Sequence, residues 1–159
     1  MNPNDLLTYK RFDVVVKYMY ASNLSSEFYK NAYKEHLKIW NGFHEGNPKK
    51  NGFEEFDNAF KSIINNTVDE PVPVNPEGHI ANGAHRLAVC EYFNVKPTIK
   101  QLPIQTPNYN YNFFKNMKSI YSDEMALQYI NKNQNIRCMI LFPCCDDKLS
   151  VVENIISDY

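Results

Sequence analysis

Apolar residues recur at helical spacing through the first third of the chain, with charged residues between them. The pattern predicts helices over residues 5–21, 26–40 and 53–66, and the first of these should bury one apolar stripe. Serines precede the second helix as candidate caps, and an Asn-Gly pair follows it. Asn51 and Glu54 have the spacing of a capping box for the third helix.

The pattern changes after residue 69. Prolines keep residues 71–75 extended, a Pro-Glu-Gly turn follows, and residues 79–81 are predicted as a short strand. Helical periodicity then covers residues 84–94, and alternation returns over residues 95–105. The sequence therefore predicts a small mixed sheet with one crossing helix.

The C-terminal third is predicted to hold an aromatic loop, a helix, a strand and a last helix, over residues 107–117, 123–133, 136–142 and 146–159. No internal repeat or linker interrupts the sequence. We therefore predict a single α+β domain. It would have a helical cap over residues 1–68, a core motif over 69–103 and a C-terminal helix-strand-helix unit over 104–159.

Composition and charge exclude several classes of protein. The 17 basic and 18 acidic residues give a net charge of −1 without a basic stripe, so a nucleic-acid partner is not expected. The chain has no run of eighteen apolar residues, so a membrane span is not expected. The N-terminal residues lack the order of a signal peptide, which favours the cytoplasm. The four cysteines lack CxxC spacing, so neither a disulfide framework nor a metal site is expected.

The segment between the predicted short strand and the crossing helix has the character of an anion site. Asn82 and Gly83 form a turn in which glycine permits a positive φ. The helix starts near Ala84, where unpaired backbone N–H groups and the positive end of the helix dipole attract anions. His85 and Arg86 add side-chain donors in the first turn. These residues together predict a phosphate site.

The sequence GHIANGAHRLAVC, residues 78–90, resembles the core signature of the ParB and sulfiredoxin-like superfamily. In that superfamily a strand, a Gly-x-His-Arg or related turn, and a helix bind nucleotide phosphates. The resemblance extends over residues 69–103, where the order of strand, turn, helix and strand is similar. Its members include partition proteins that bind CTP, sulfiredoxins that use ATP, nucleases and free-serine kinases, so the fold does not name the reaction.

Departures from individual members narrow the choice. Sulfiredoxins carry a catalytic cysteine before the His-Arg pair, and this chain has Ala84 there. Partition proteins continue into a helix-turn-helix, whereas no basic recognition helix follows residue 103 here. Many members have an acidic residue where this chain has Asn82, which is neither a general base nor a strong magnesium ligand.

The resemblance thus implies a kinase that uses ATP or another nucleotide with Mg²⁺ and phosphorylates a hydroxyl of a small metabolite or sugar. Glu45, in a polar loop between helices, is the candidate general base, and His85 is the second candidate catalytic residue. Arg86 would neutralise the transferring phosphoryl group, with assistance from Lys49 and Lys50.

Two cations of the first helix are further candidates. Asp13 precedes Lys17 by four residues, a spacing typical of a solvated ion pair on a helix surface. If this helix covers the sheet, Arg11 and Lys17 become contacts for the substrate anion. The alternatives to a kinase are a ParB-like nuclease and a non-catalytic nucleotide-binding interaction module. The acceptor, the nucleotide and the oligomeric state stay open.

Overall fold

The computed structural model describes residues 11–42, 52–66 and 70–134. Within these ranges the chain forms six helices and two strands. In chain order they are α1 (Phe12–Ser22), α2 (Glu27–Asn41), α3 (Phe53–Asn65), β1 (Val72–Val74), α4 (Ala84–Phe93), β2 (Ile99–Gln101), α5 (Tyr111–Asn116) and α6 (Ser122–Gln134). Helices dominate this part of the chain, which is compatible with the predicted α+β class.

Helix α1 lies at the centre of the core. The sequence predicts one buried stripe, yet Val14, Val15 and Val16 are all fully buried, and the two charged residues of the helix are more than nine-tenths buried. The reason is that α4 packs most extensively against α1, while α2 and α6 contact it as well. A helix with neighbours on several sides has no solvated face, so the prediction of a single stripe is wrong. The predicted start of this helix lies outside the described residues.

The predicted limits of the second helix are confirmed. Ser26 is the N-cap and its side-chain oxygen accepts a hydrogen bond from the backbone N–H of Tyr29, at 3.3 Å. Gly42, in the left-handed conformation, ends the helix. Helix α3 differs from the prediction, because its N-cap is Gly52, which has no side chain to form a capping box. Asn51, the predicted cap, lies outside the described residues.

The sheet of the described region has two parallel strands connected through α4. Val72 of β1 is paired with Ile99 of β2. The predicted strand over 79–81 is reduced to one antiparallel bridge between Val74 and Ile80, because α4 begins only four residues after Ile80. The order of strand, turn, helix and strand is therefore as predicted. The short strand predicted between the turn and the helix is present only as this single bridge.

The segment after β2 contains a helix that the sequence did not predict. Residues 111–116, expected within an aromatic loop, form α5 because the Asn110 side chain caps it by accepting a hydrogen bond from the N–H of Phe113, at 2.8 Å. Helix α6 begins at Ser122, close to its predicted start. The predicted strand over 136–142 and the last helix lie outside the described residues. No helix in the described ranges is long and apolar enough to span a membrane.

Candidate anion site

A cavity of about 440 Å³ lies where α1, α2 and the start of α4 meet the segment before α5. Its wall has a polar part and an apolar part. The polar part consists of Arg11, Asp13, Lys17, Asn82 and His85. The apolar part consists of Leu37, Trp40, Ala81, Ala84, Pro107 and Tyr109. The cavity is thus amphipathic, as ligand sites commonly are.

Three charged side chains form a buried cluster in the polar wall. Asp13 accepts hydrogen bonds from Arg11 Nε at 2.8 Å and Nη2 at 2.9 Å. Lys17 Nζ lies 2.8 Å from the second carboxylate oxygen of Asp13 and also contacts its backbone oxygen. All three residues are at least nine-tenths buried. The solvated ion pair expected from the spacing of Asp13 and Lys17 is therefore wrong, because α4 covers this face of α1.

With Arg11 and Lys17 protonated and Asp13 ionised, the cluster carries a formal net charge of +1. Arg11 also donates from Nη1 to the backbone oxygen of Ile80, at 3.2 Å. Contacts within the described residues occupy three of the five N–H donors of Arg11 and two of the three of Lys17. The wall of the cavity therefore combines excess positive charge with spare hydrogen-bond donors, which favours an anion.

The ionisation of the cluster follows from burial and pairing. Burial alone would raise the pKa of Asp13, but the charges of Lys17 and Arg11 and their hydrogen bonds lower it well below its usual range. Burial lowers the pKa of Lys17, and Asp13 offsets part of that effect. Asp13 is thus a carboxylate with both oxygens occupied, so it is a poor general base.

His85 lies in the first turn of α4 and is held by an aromatic neighbour. Its Nε2 is 2.7 Å from the hydroxyl oxygen of Tyr33, and the two rings meet edge to face at 5.8 Å. Burial lowers the pKa of His85 well below its usual value, and the charge of Lys17 lowers it further. Burial raises the pKa of Tyr33. We therefore assign the proton of this hydrogen bond to Tyr33, which leaves His85 neutral with its own proton on Nδ1.

Two predicted site residues at the start of α4, Gly83 before the helix and Arg86 in its first turn, lie away from the cavity. Arg86 pairs with Glu70, and its guanidinium lies against Gly83. Neither Arg86 nor Gly83 lines the cavity. Asn82 does line it, and its side-chain oxygen accepts a hydrogen bond from the N–H of Gly83, at 2.7 Å. The phosphate contact predicted for Arg86 thus has no support in this geometry, because Glu70 already holds that cation.

Gly83 has a φ of 83°, and a Cβ there would lie 3.2 Å from Arg86 Nε and Nη2. We expect Gly83→Ala to lower the free energy of unfolding by about 1–2 kcal/mol through backbone strain, plus the cost of displacing Arg86. Gly78→Ala is the matched control, because Gly78 has a φ of 82° with open space around it. Urea unfolding of both variants measures the difference, and equal losses would show that Arg86 moves without cost.

The structure brings together only part of the predicted site. Arg11, Lys17, Asn82, Ala84 and His85 line one cavity. The candidate base Glu45 and the candidate cations Lys49 and Lys50 lie outside the described residues.

Nothing in the sequence indicated that Tyr33 or Trp40 belongs to the site, and its patterns placed Asp13 in a solvated ion pair and Tyr109 in an aromatic loop expected to serve packing. The spacing of Asp13 and Lys17 is a usable signal, whereas Tyr33 is 52 residues from His85 and no local pattern relates them.

Comparison of the chain with protein-family models, curated proteins and solved structures finds no match.

Proposed function

We propose that this protein is a nucleotide-dependent phosphotransferase that binds phosphate groups in the cavity lined by Arg11, Lys17 and His85. The observation that carries the proposal is the buried net charge of +1 in the wall of that cavity. Excess charge away from water is costly unless a counter-charge accompanies it. A bound phosphate would supply that counter-charge and would accept the donors that the cluster leaves over.

The start of α4 supports the same assignment. No side chain caps this helix, and His85, in its first turn, lines the cavity. Uncapped N–H groups at a helix N-terminus favour anions. The order β1, turn, α4, β2 is the order of the ParB and sulfiredoxin-like core, and we propose that core as the fold of this region.

The proposed reaction is attack of an acceptor hydroxyl on the terminal phosphorus of the nucleotide. A bond forms between the hydroxyl oxygen and phosphorus, the bond from phosphorus to the bridging oxygen breaks, and the nucleoside diphosphate leaves. Arg11 and Lys17 would stabilise the phosphoryl oxygens, and neutral His85 would donate a hydrogen bond. The hydroxyl proton goes to a base, for which Glu45 stays the candidate.

Magnesium is expected with the nucleotide, but the described residues do not provide a fitting donor set. They contain no cluster of three or more His, Cys, Asp or Glu side chains that could hold a metal ion. Asp13 lines the cavity, yet both of its carboxylate oxygens are already held by Arg11 and Lys17.

The occupied carboxylate of Asp13 favours one alternative, a nucleotide-binding interaction module without catalysis. The two functions differ in what Glu45→Gln would do. If the protein is a kinase, this variant binds nucleotide as the wild type does and loses transfer to the acceptor. If wild-type protein binds nucleotide and no acceptor is phosphorylated, the module is supported and the kinase is rejected. The nuclease alternative has no specific support in the described residues.

Lys17→Gln tests the binding site itself. We expect it to weaken binding of inorganic phosphate and ATP by about 10- to 100-fold, the value of a hydrogen bond to a charged group. Because Lys17 is a buried partner of Asp13, the change should also lower the free energy of unfolding, by about 1–3 kcal/mol, while the pair of Arg11 and Asp13 stays balanced. Titration calorimetry and urea unfolding measure the two quantities separately.

The matched control is Lys115→Gln, which removes an exposed lysine paired with Asp123 outside the cavity. It should leave phosphate affinity unchanged. Equal affinities of Lys17→Gln and the wild type would remove the cavity from the proposed function.

A further inference from the structure

Two aromatic side chains belong to the apolar part of the cavity wall. Trp40, near the end of α2, lines the cavity and is 39% exposed. Tyr109, from the segment before α5, lies beside it with the ring centroids 6.4 Å apart and the ring planes at 85°. A large indole surface at the opening of a cavity is a strong contact for a ligand, because aromatic rings combine large apolar area with specific geometry.

Neighbouring rings hold this pair in place. Trp40 meets Phe56 of α3 edge to face at 5.9 Å. Tyr109 meets Phe113 at 5.2 Å, and its backbone oxygen accepts a hydrogen bond from the N–H of Phe12, at 2.7 Å. The two rings therefore form a supported corner, in which little side-chain freedom would be lost on binding.

This corner of Trp40 and Tyr109 adjoins the buried charged cluster in the polar part of the wall. The Arg11 guanidinium lies 5.8 Å from the centroid of the Tyr109 ring, and Arg11 also belongs to that cluster with Lys17. One ligand can thus contact both the cluster and the corner. Such a ligand would need a negative charge for the cluster and a compact apolar or flat face for the corner.

We propose that the ligand of this cavity is the phosphate ester or anhydride of a cyclic compound, with its ring against Trp40 and Tyr109 and its phosphate on Arg11 and Lys17. The phosphate part of this inference rests on the proposed function, whereas the ring part rests on the aromatic corner. Two rings at 85° offer one face for stacking and one edge, which suits a nucleoside base or the C–H face of a sugar. An acyclic phosphate ester would leave the corner uncovered.

The test compares four probes: inorganic phosphate, glycerol phosphate, adenosine monophosphate and glucose 6-phosphate. Trp40 is the single tryptophan of the chain, so its fluorescence reports contact at this corner directly. We expect at least one of the two ring-bearing esters, adenosine monophosphate or glucose 6-phosphate, to change this fluorescence. The same ester should bind about 10- to 100-fold more tightly than glycerol phosphate in calorimetry. Which of the two esters is preferred identifies the ring as a nucleoside or a sugar.

Trp40→Leu should abolish the preference for the ring-bearing ester, measured as the ratio of its affinity to that of glycerol phosphate. Trp40→Phe, which keeps a ring, should retain part of it. Tyr92→Leu is the matched control, because Tyr92 is similarly exposed, at 41%, and does not line the cavity. If inorganic phosphate binds and the ring-bearing esters bind no more tightly than glycerol phosphate, the inference is overturned and the proposed function stands. If none of the four probes binds, both are overturned.

Discussion

Replacing Asp13 with Asn is expected to lower the free energy of unfolding by about 3–5 kcal/mol, the cost of breaking a buried ion pair from one side. The substitution leaves Arg11 and Lys17 buried beside each other with no carboxylate between them. Since a domain is stable by only about 5–15 kcal/mol, this is a large fraction of the total. Urea unfolding at neutral pH and moderate salt measures it.

The control for this variant is Asp123→Asn. Like Asp13, Asp123 is a carboxylate with two side-chain partners, here Lys115 and Tyr111, but its side chain is 57% exposed. A much smaller loss in the free energy of unfolding is therefore expected. A loss for Asp13→Asn no larger than that for Asp123→Asn would contradict the buried cluster.

The second large effect is a loss of stability in acid that arises from His36. This histidine is buried in the core, stacks on Phe114 at 3.9 Å, and has Nε2 3.3 Å from Ser122 Oγ. Its Nδ1 has no hydrogen-bond partner among the described residues. Burial lowers the pKa of His36 to about 3, and the charge of Lys17 acts in the same direction.

Because the pKa of His36 is lower in the folded chain than its ordinary value of 6.5, the unfolded chain binds more protons between pH 6.5 and 3. The stability associated with neutral His36 is therefore complete above pH 6.5 and is lost as the pH falls. At pH 4.5 the loss amounts to about 3 kcal/mol. His85, whose pKa is also lowered, adds to it in the same direction.

Chemical unfolding at several pH values between 7.5 and 4.5 measures this dependence. His36→Phe keeps an aromatic ring against Phe114 and removes the titrating group, so its stability should fall less steeply with acid than that of the wild type. Comparing the two proteins at pH 7.5 gives the cost of the substitution itself. Parallel curves for the wild type and His36→Phe would mean that His36 takes up its proton equally in both states.

Local signals predicted the parts of the fold that depend on neighbouring residues. Ser26 and Gly42 delimit α2 because a hydroxyl can accept from a nearby N–H and a glycine can adopt a positive φ, and both effects act within one helical turn. The spacing around Asn82 and His85 likewise located the start of α4. Helix α5 was not predicted, because its cap, Asn110, lies inside an aromatic segment whose pattern is typical of a loop.

The sequence by itself determined most of the helices, the limits of α2 and the turn that leads to Ala84 and His85, since these follow from contacts a few residues apart. Only the tertiary structure decided that Asp13 and Lys17 face a cavity instead of water, and that Arg86 turns to Glu70 instead. It also placed Tyr33 on His85. The physical reason is that burial, which sets the charge and the chemistry of these groups, depends on elements distant in the sequence, and no local pattern specifies which of them meet.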